Sequence, residues 1–190
     1  SATKCVMMSR AMNTRTLLAG VAAGVAMFFW GAFSHMVLPL GDFGIQSLPD
    51  EAAVTSVLKD KVKSPGLYFY PFTKDQSKMD QLMKERPRGI LTFTSNDTPF
   101  NLGASLGVQC MNDVLCGLLL AWLMGMAASS LTSLGSKLMF AVGISLVGTV
   151  GYLGAFCNWY GFSAAYALAN GFDSAIAACV GAFVIAKIAK

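Results

Sequence analysis

Residues 106–128 read LGVQCMNDVLCGLLLAWLMGMAA, twenty-three residues carrying one charge, Asp113. A hydrocarbon core of about 30 Å needs about twenty predominantly apolar residues in a helix, so this stretch predicts a transmembrane helix. A carboxyl group inside it is costly and marks a candidate functional position. Three further stretches have the same character: residues 16–37, 138–157 and 162–186, the last holding Asp173. Of ten acidic residues in the chain, only Asp113 and Asp173 lie outside the interval Asp42–Asp97.

Composition agrees. Apolar residues make up 55% of the 190 and charged residues 13%, about half the share expected of a soluble domain. The mean hydropathy is +0.57. The charges are also segregated: residues 38–105 carry eight of each sign, and the remaining chain carries eight in all. The predicted fold class is therefore an α-helical integral membrane protein. Its four transmembrane helices carry a small α+β extracytoplasmic insert, residues 38–105, between helices 1 and 2.

The run at 16–37 follows Arg10 and Arg15, as a signal peptide would. Its length exceeds the 7–15 residues of a typical signal core, so it is expected to be a span or a retained anchor. Within the insert, Ser47-Leu-Pro-Asp50 has the form of a capping box ahead of Val54, Val57, Leu58 and Val62 at helical spacing. Leu67–Tyr70 and Gly89–Thr94 read as strands, and Lys74–Arg86 as a second amphipathic helix. The expected order is helix, strand, helix, strand, too small to form a robust fold alone. The links 129–137 and 158–161 are short, which predicts antiparallel neighbours.

Arg15, Lys137, Lys187, Lys4, Arg10 and Lys190 all fall on one side of a four-span arrangement. By the positive-inside rule, segments 1–15 and 187–190 are expected in the cytoplasm and the insert outside, in a bacterial inner (plasma) membrane. Trp30, Trp159, Tyr160 and Phe162 then form an aromatic belt at the outer face.

Counting back from the cytoplasmic ends, Asp113 precedes Ser129 by sixteen residues and Asp173 precedes Lys187 by fourteen. At 1.5 Å per residue both are expected roughly 21–24 Å from the inner boundary, in one layer. Each heads a polar stripe: Gln109, Asn112 and Asp113 on the second span, Tyr166, Asn170, Asp173 and Ser174 on the fourth. His35, the single histidine, about twenty residues past Arg15, is expected near the outer boundary, and Asn158 begins the outer link, so both are expected to converge with the two stripes beneath the insert. No Lys or Arg lies within the spans to neutralise the acids. Three chemistries fit this layer: hydrogen-bonded glue between helices, an ion or proton site, and docking of a basic residue from another subunit.

No GxSxG, HExxH, P-loop or GxGxxG signature occurs, and the expectation is a protein that is not an enzyme. One histidine and no CxxCH motif exclude bis-histidine haem ligation within the chain; His35 is expected to hydrogen-bond a neighbour, with ligation of a pigment or haem as the alternative, and no cofactor is expected. Five cysteines show no metal-ligand spacing and read as small apolar residues, with a disulfide between Cys110 and Cys157 as the alternative. The charge-balanced insert lacks a basic patch, so nucleic acid is not an expected partner. Gly20-x-x-x-Gly24 and Gly143, Gly148, Gly151 and Gly154 favour close helix approach, within the chain or to another. The functional expectation is an accessory or scaffold subunit of a larger respiratory, photosynthetic or transport complex, in contact with the lipid bilayer and with other membrane subunits or further copies of itself. The alternative is a small oligomeric transporter or proton or ion pathway built on Asp113 and Asp173.

Overall fold

The computed structural model describes residues 13–95, 97 and 99–189. Residues 1–12 of the expected N-terminal segment, Cys5 among them, and Lys190 lie outside this range. Four helices are long and apolar enough to cross a membrane: α1 (Thr14–Met36), α4 (Leu102–Met126), α5 (Leu134–Tyr160) and α6 (Ala164–Ile188). Between α1 and α4 run α2 (Glu51–Lys61), β1 (Gly66–Tyr70), α3 (Gln76–Glu85) and β2 (Gly89–Phe93), the order expected.

The long helices begin and end a few residues away from the apolar runs that announced them, because caps rather than hydropathy decide where a helix ends. Asn101 caps α4 by accepting from the Ala104 N–H at 3.0 Å, four residues ahead of the expected start. A capping box between Ser133 and Ser136 starts α5 four residues early. Gly161, at φ 76, ends α5 in the left-handed conformation that glycine adopts without a side-chain clash. At 27 residues α5 is about 40 Å long, more than a hydrocarbon core requires. The predicted cap of α2 is also corrected. Asp50, rather than Ser47, caps it, accepting from the Ala53 N–H at 3.4 Å.

Helix α1 is the hub. It packs along α4 on one side and α6 on the other, while α5 packs on α6. A Cβ added to Gly20 would meet Leu118 and Gly117; one added to Gly24 would meet the backbone of Val114 and Asp113. As α1 advances, α4 therefore retreats, and the pair is antiparallel with backbones in direct contact. Gly20-x-x-x-Gly24 works within the chain, with Gly117 as its counterpart. Helices α1 and α6 are likewise antiparallel, with Met27 against Gly181 and Trp30 and His35 against Asp173.

The expectation that short links make neighbours holds for α5 and α6 and fails for α4 and α5, which touch only sparsely. Small residues explain the asymmetry. The core consists of Ala19, Ala23, Leu120, Ala121, Met124, Leu131, Ala141, Ala178, Ala182 and Ile185, concentrated toward the end where the described chain begins and finishes. Toward the other end α4 and α5 stand apart. Large apolar side chains such as Phe29, Met139, Val147 and Leu168 point outward at 67–76% exposure, as a lipid-facing surface requires.

The two strands pair antiparallel, Gly66 opposite Phe93 and Tyr70 opposite Gly89, with α3 as the connection. No residue of α2 or α3 is buried, so this unit has little core of its own. It is tied to the bundle at two places. The Phe69 ring meets Tyr160 edge-on at 6.1 Å, and the Ser163 hydroxyl donates to the Gly44 carbonyl at 2.9 Å. Gly44 is required there: it has φ +83, and a Cβ would lie 2.6 Å from Ser163 Oγ.

Candidate functional site

Where α4 and α5 separate, a cavity of about 700 Å³ opens, lined by all four long helices. Asp113 and Asp173 both line it, together with His35, Gln109 and Ser174 of the residues singled out from the sequence. The cavity is not sealed, for Leu119 and Ile144 on its wall are 49% and 36% exposed.

Asp173 is held by α1. The Trp30 indole N–H donates to one carboxyl oxygen at 2.7 Å, and His35 Nε2 stands 3.4 Å from the other. The carboxyl group is only 15% exposed. The expectation that neither acid has a basic partner in the chain is thus corrected for Asp173: the partner is an imidazole rather than a lysine or arginine. Gly41 backs the arrangement, since a Cβ there would lie 2.5 Å from His35 Nδ1. The loop after α1 can close over the imidazole because residue 41 has no side chain.

Asp113 is held differently. Gln109, one turn earlier on the same helix, donates to both carboxyl oxygens at 3.1 and 3.2 Å. This is the i, i+4 relation read from the sequence. Among the described residues no cation is paired with Asp113.

The two acids are not in one layer. Gly24 meets the backbone of Asp113, whereas Trp30 and His35, six and eleven residues further along α1, hold Asp173. Six residues of helix rise about 9 Å, so Asp113 lies deeper toward the packed end. Counting from helix ends missed this because it takes every helix to leave the membrane at the same level.

The remaining stripe residues divide. Ser174 lines the cavity beside Asp173. Asn170 bonds back to the Tyr166 carbonyl at 2.9 Å, and the Tyr166 ring packs on Phe162, both outside the cavity. That stretch of α6 lies under the loop at Gly44, where a Cβ would come within 2.9 Å of Tyr166 Cα. Asn112 and Asn158 are exposed and stand apart from the cavity.

Three participants escaped the sequence reading. Trp30, expected in the aromatic belt, turns its indole N–H inward to Asp173. The available signal was chemical: a tryptophan N–H within hydrocarbon needs an acceptor. Thr149 lines the cavity from α5, and Ser145 does so with a hydroxyl oxygen that is enclosed and without a partner. Among the described residues, His, Cys, Asp and Glu nowhere gather in the threes that a metal site requires. Cys110, Cys116, Cys157 and Cys179 are free thiols, so the alternative of a bridge between Cys110 and Cys157 is not realised.

Compared with known protein families, curated proteins and solved structures, the chain matches none.

Proposed function

We propose that this chain is a non-enzymatic accessory or scaffold subunit of a larger membrane complex. One observation carries the reading. On α5, the longest helix, Gly143, Gly151 and Gly154 lie outside the cavity and would each accept a Cβ with no atom within 4 Å. Lipid tails do not call for glycine, whereas close approach of another helix does. On α1, Gly20 and Gly24 are used against α4; on α5 the same residue type is left open. The occupant is another subunit or a further copy of this chain.

The positive-inside argument gives the orientation. The antiparallel register brings Arg15, Lys137 and Lys187 to one end, which supports a cytoplasmic location for that end and an extracytoplasmic one for residues 38–101. An alkaline phosphatase fusion within 38–101 is then active and one at 129–132 inactive; the reverse result overturns the orientation.

The subunit reading is tested by purification from native membranes in mild detergent, followed by native mass measurement. A stoichiometric assembly is expected, and Gly151→Leu with Gly154→Leu should disperse it while leaving the helix content unchanged. A monodisperse monomer from native membranes refutes the proposal.

A second reading, a proton or ion pathway, is favoured by the two acids facing one cavity. The packed end at Ala19, Ala23, Leu120 and Ala182 stops that cavity, so conduction requires these helices to part. Flux in liposomes holding only this chain, abolished by Asp113→Asn, would support it.

A further inference from the structure

We propose that the cavity between α4 and α5 binds an amphipathic organic cation, its head beside Asp113 and its apolar body against Leu119, Leu120, Leu123 and Ile144. The inference is independent of the subunit proposal, since it concerns a different face of the bundle and requires no partner chain.

Four features of the cavity select this occupant. Its volume, about 700 Å³, lies within the range of drug-sized ligand sites. The walls are amphipathic, combining Leu119, Leu120, Leu123 and Ile144 with the carboxyl, amide and hydroxyl groups of Asp113, Gln109 and Ser145. The charges do not balance. Two acids and one histidine line the space with no lysine or arginine, and the histidine is already engaged with Asp173. That leaves Asp113, with the neutral Gln109 amide beside it, as an acid of apolar surroundings to which a cation is the complementary charge. Entry is provided from the side, through the wall at Leu119 and Ile144.

Competing occupants fit less well. A helix of a second copy is about 10 Å wide and needs a gap along its length, whereas Leu120, Leu131 and Ala141 close the packed end. A phospholipid, even one with an amine head, would bring its phosphate toward two carboxyl groups.

The test uses the purified full chain in phosphatidylcholine nanodiscs, with tetraphenylphosphonium as the probe and tetraphenylborate as an anion of the same shape. Saturable binding of one cation per chain is expected, with the anion at least tenfold weaker. Asp113→Asn should weaken cation binding at least tenfold. Gly148→Leu places an isobutyl group into the cavity from its α5 wall, where a Cβ meets nothing within 4 Å, and it should weaken binding. Gly151→Leu, outside the cavity, should bind as the wild type does. If Asp113→Asn does not fold, Gly148→Leu carries the test. Equal binding of cation and anion, unchanged binding by Gly148→Leu, or displacement of the probe by added phosphatidylethanolamine overturns the proposal.

Discussion

Adding one methyl group at Gly24 should destabilise the bundle, whereas adding the same group at Gly151 should not. At Gly24 the new Cβ would lie 2.5 Å from the Asp113 carbonyl oxygen and 2.7 Å from Val114 N, and would also crowd Val114 Cα. Every one of these atoms is backbone, so no rotamer change relieves the overlap. To restore an ordinary contact of 3.4 Å or more, α1 and α4 must part by about 1 Å. Overpacking of this kind typically costs about 1–3 kcal/mol. Against it stands the better helix propensity of alanine, about 0.8–1 kcal/mol relative to glycine. The clash exceeds the propensity over most of that range, giving a net loss of up to about 2 kcal/mol for Gly24→Ala.

At Gly151 no atom lies within 4 Å of the added Cβ, so only the propensity term remains. Gly151→Ala should therefore be neutral or stabilising by up to about 1 kcal/mol. The assay is reversible unfolding of the monomer by sodium dodecyl sulfate in mixed micelles, followed by helical circular dichroism. Gly24→Ala must lose stability while Gly151→Ala loses none. If Gly24→Ala is as stable as the wild type, α1 and α4 do not meet backbone to backbone and the hub arrangement is wrong. If Gly151→Ala is destabilised in the monomer, α5 has an intramolecular partner that this packing lacks.

The two acids should respond unequally to loss of their donors. Trp30→Phe removes the 2.7 Å bond to Asp173 and should cost about 0.6–1.7 kcal/mol in the same unfolding assay, while Asp113→Asn, which disturbs only one i, i+4 pair, should cost no more than about 0.5 kcal/mol. Equal costs would contradict the division. In the segment between α1 and α4, hydrogen bonds from Ser77 and proximity of Lys78 hold the Asp75 carboxyl below its ordinary value of 3.8. A depressed folded value means that capping of α3 stabilises fully above the unfolded value and fades as pH falls through the folded one. Amide protection in α3, taken relative to the intrinsic exchange rate at each pH, should thus be constant near neutrality and fall in acid, and Asp75→Ala should abolish that transition; an unchanged transition refutes the assignment. In a Cys5→Ser background, four thiols should react with maleimide after denaturation without reductant, and two would reveal a bridge.

Legibility followed the physics that each feature depends on. Spans, strands and the order of elements in residues 38–101 rest on local hydropathy and periodicity, and both are printed in the sequence. Helix ends rest on single capping residues, so Asn101, Ser133 and Asp50 shifted them by a few residues from where the apolar runs stop. Which helices touch rests on where small residues allow contact. Gly20-x-x-x-Gly24 hinted at a close crossing, but the sequence did not say that Gly117 would complete it, or that α5 glycines would stay open. The site was legible as a list and not as a geometry. Asp113, Asp173, His35, Gln109 and Ser174 do share a cavity, while Tyr166, Asn170 and Asn112 share only helical spacing with them. Helical phase says which way a side chain points and nothing about the loop that roofs it, and Gly44 roofs α6 at Tyr166.

The two acids are alike in composition and unlike in circumstance. Asp173 has its partners built into the chain: an indole donor from α1, an imidazole at 3.4 Å five residues later, and a glycine at position 41 that gives the imidazole room. Because the indole comes from a helix 143 residues away in sequence, the carboxyl group joins α1 to α6, and its removal acts on the fold. Asp113 has only a donor from its own helix, so it joins nothing. Its backbone is nevertheless held by packing, because Gly24 seats α1 directly against it. An acid so held whose side chain contributes little to packing, in a cavity open to the side, is placed to meet something from outside the chain. A purely structural role explains Asp173 completely and leaves Asp113 without a reason to be there.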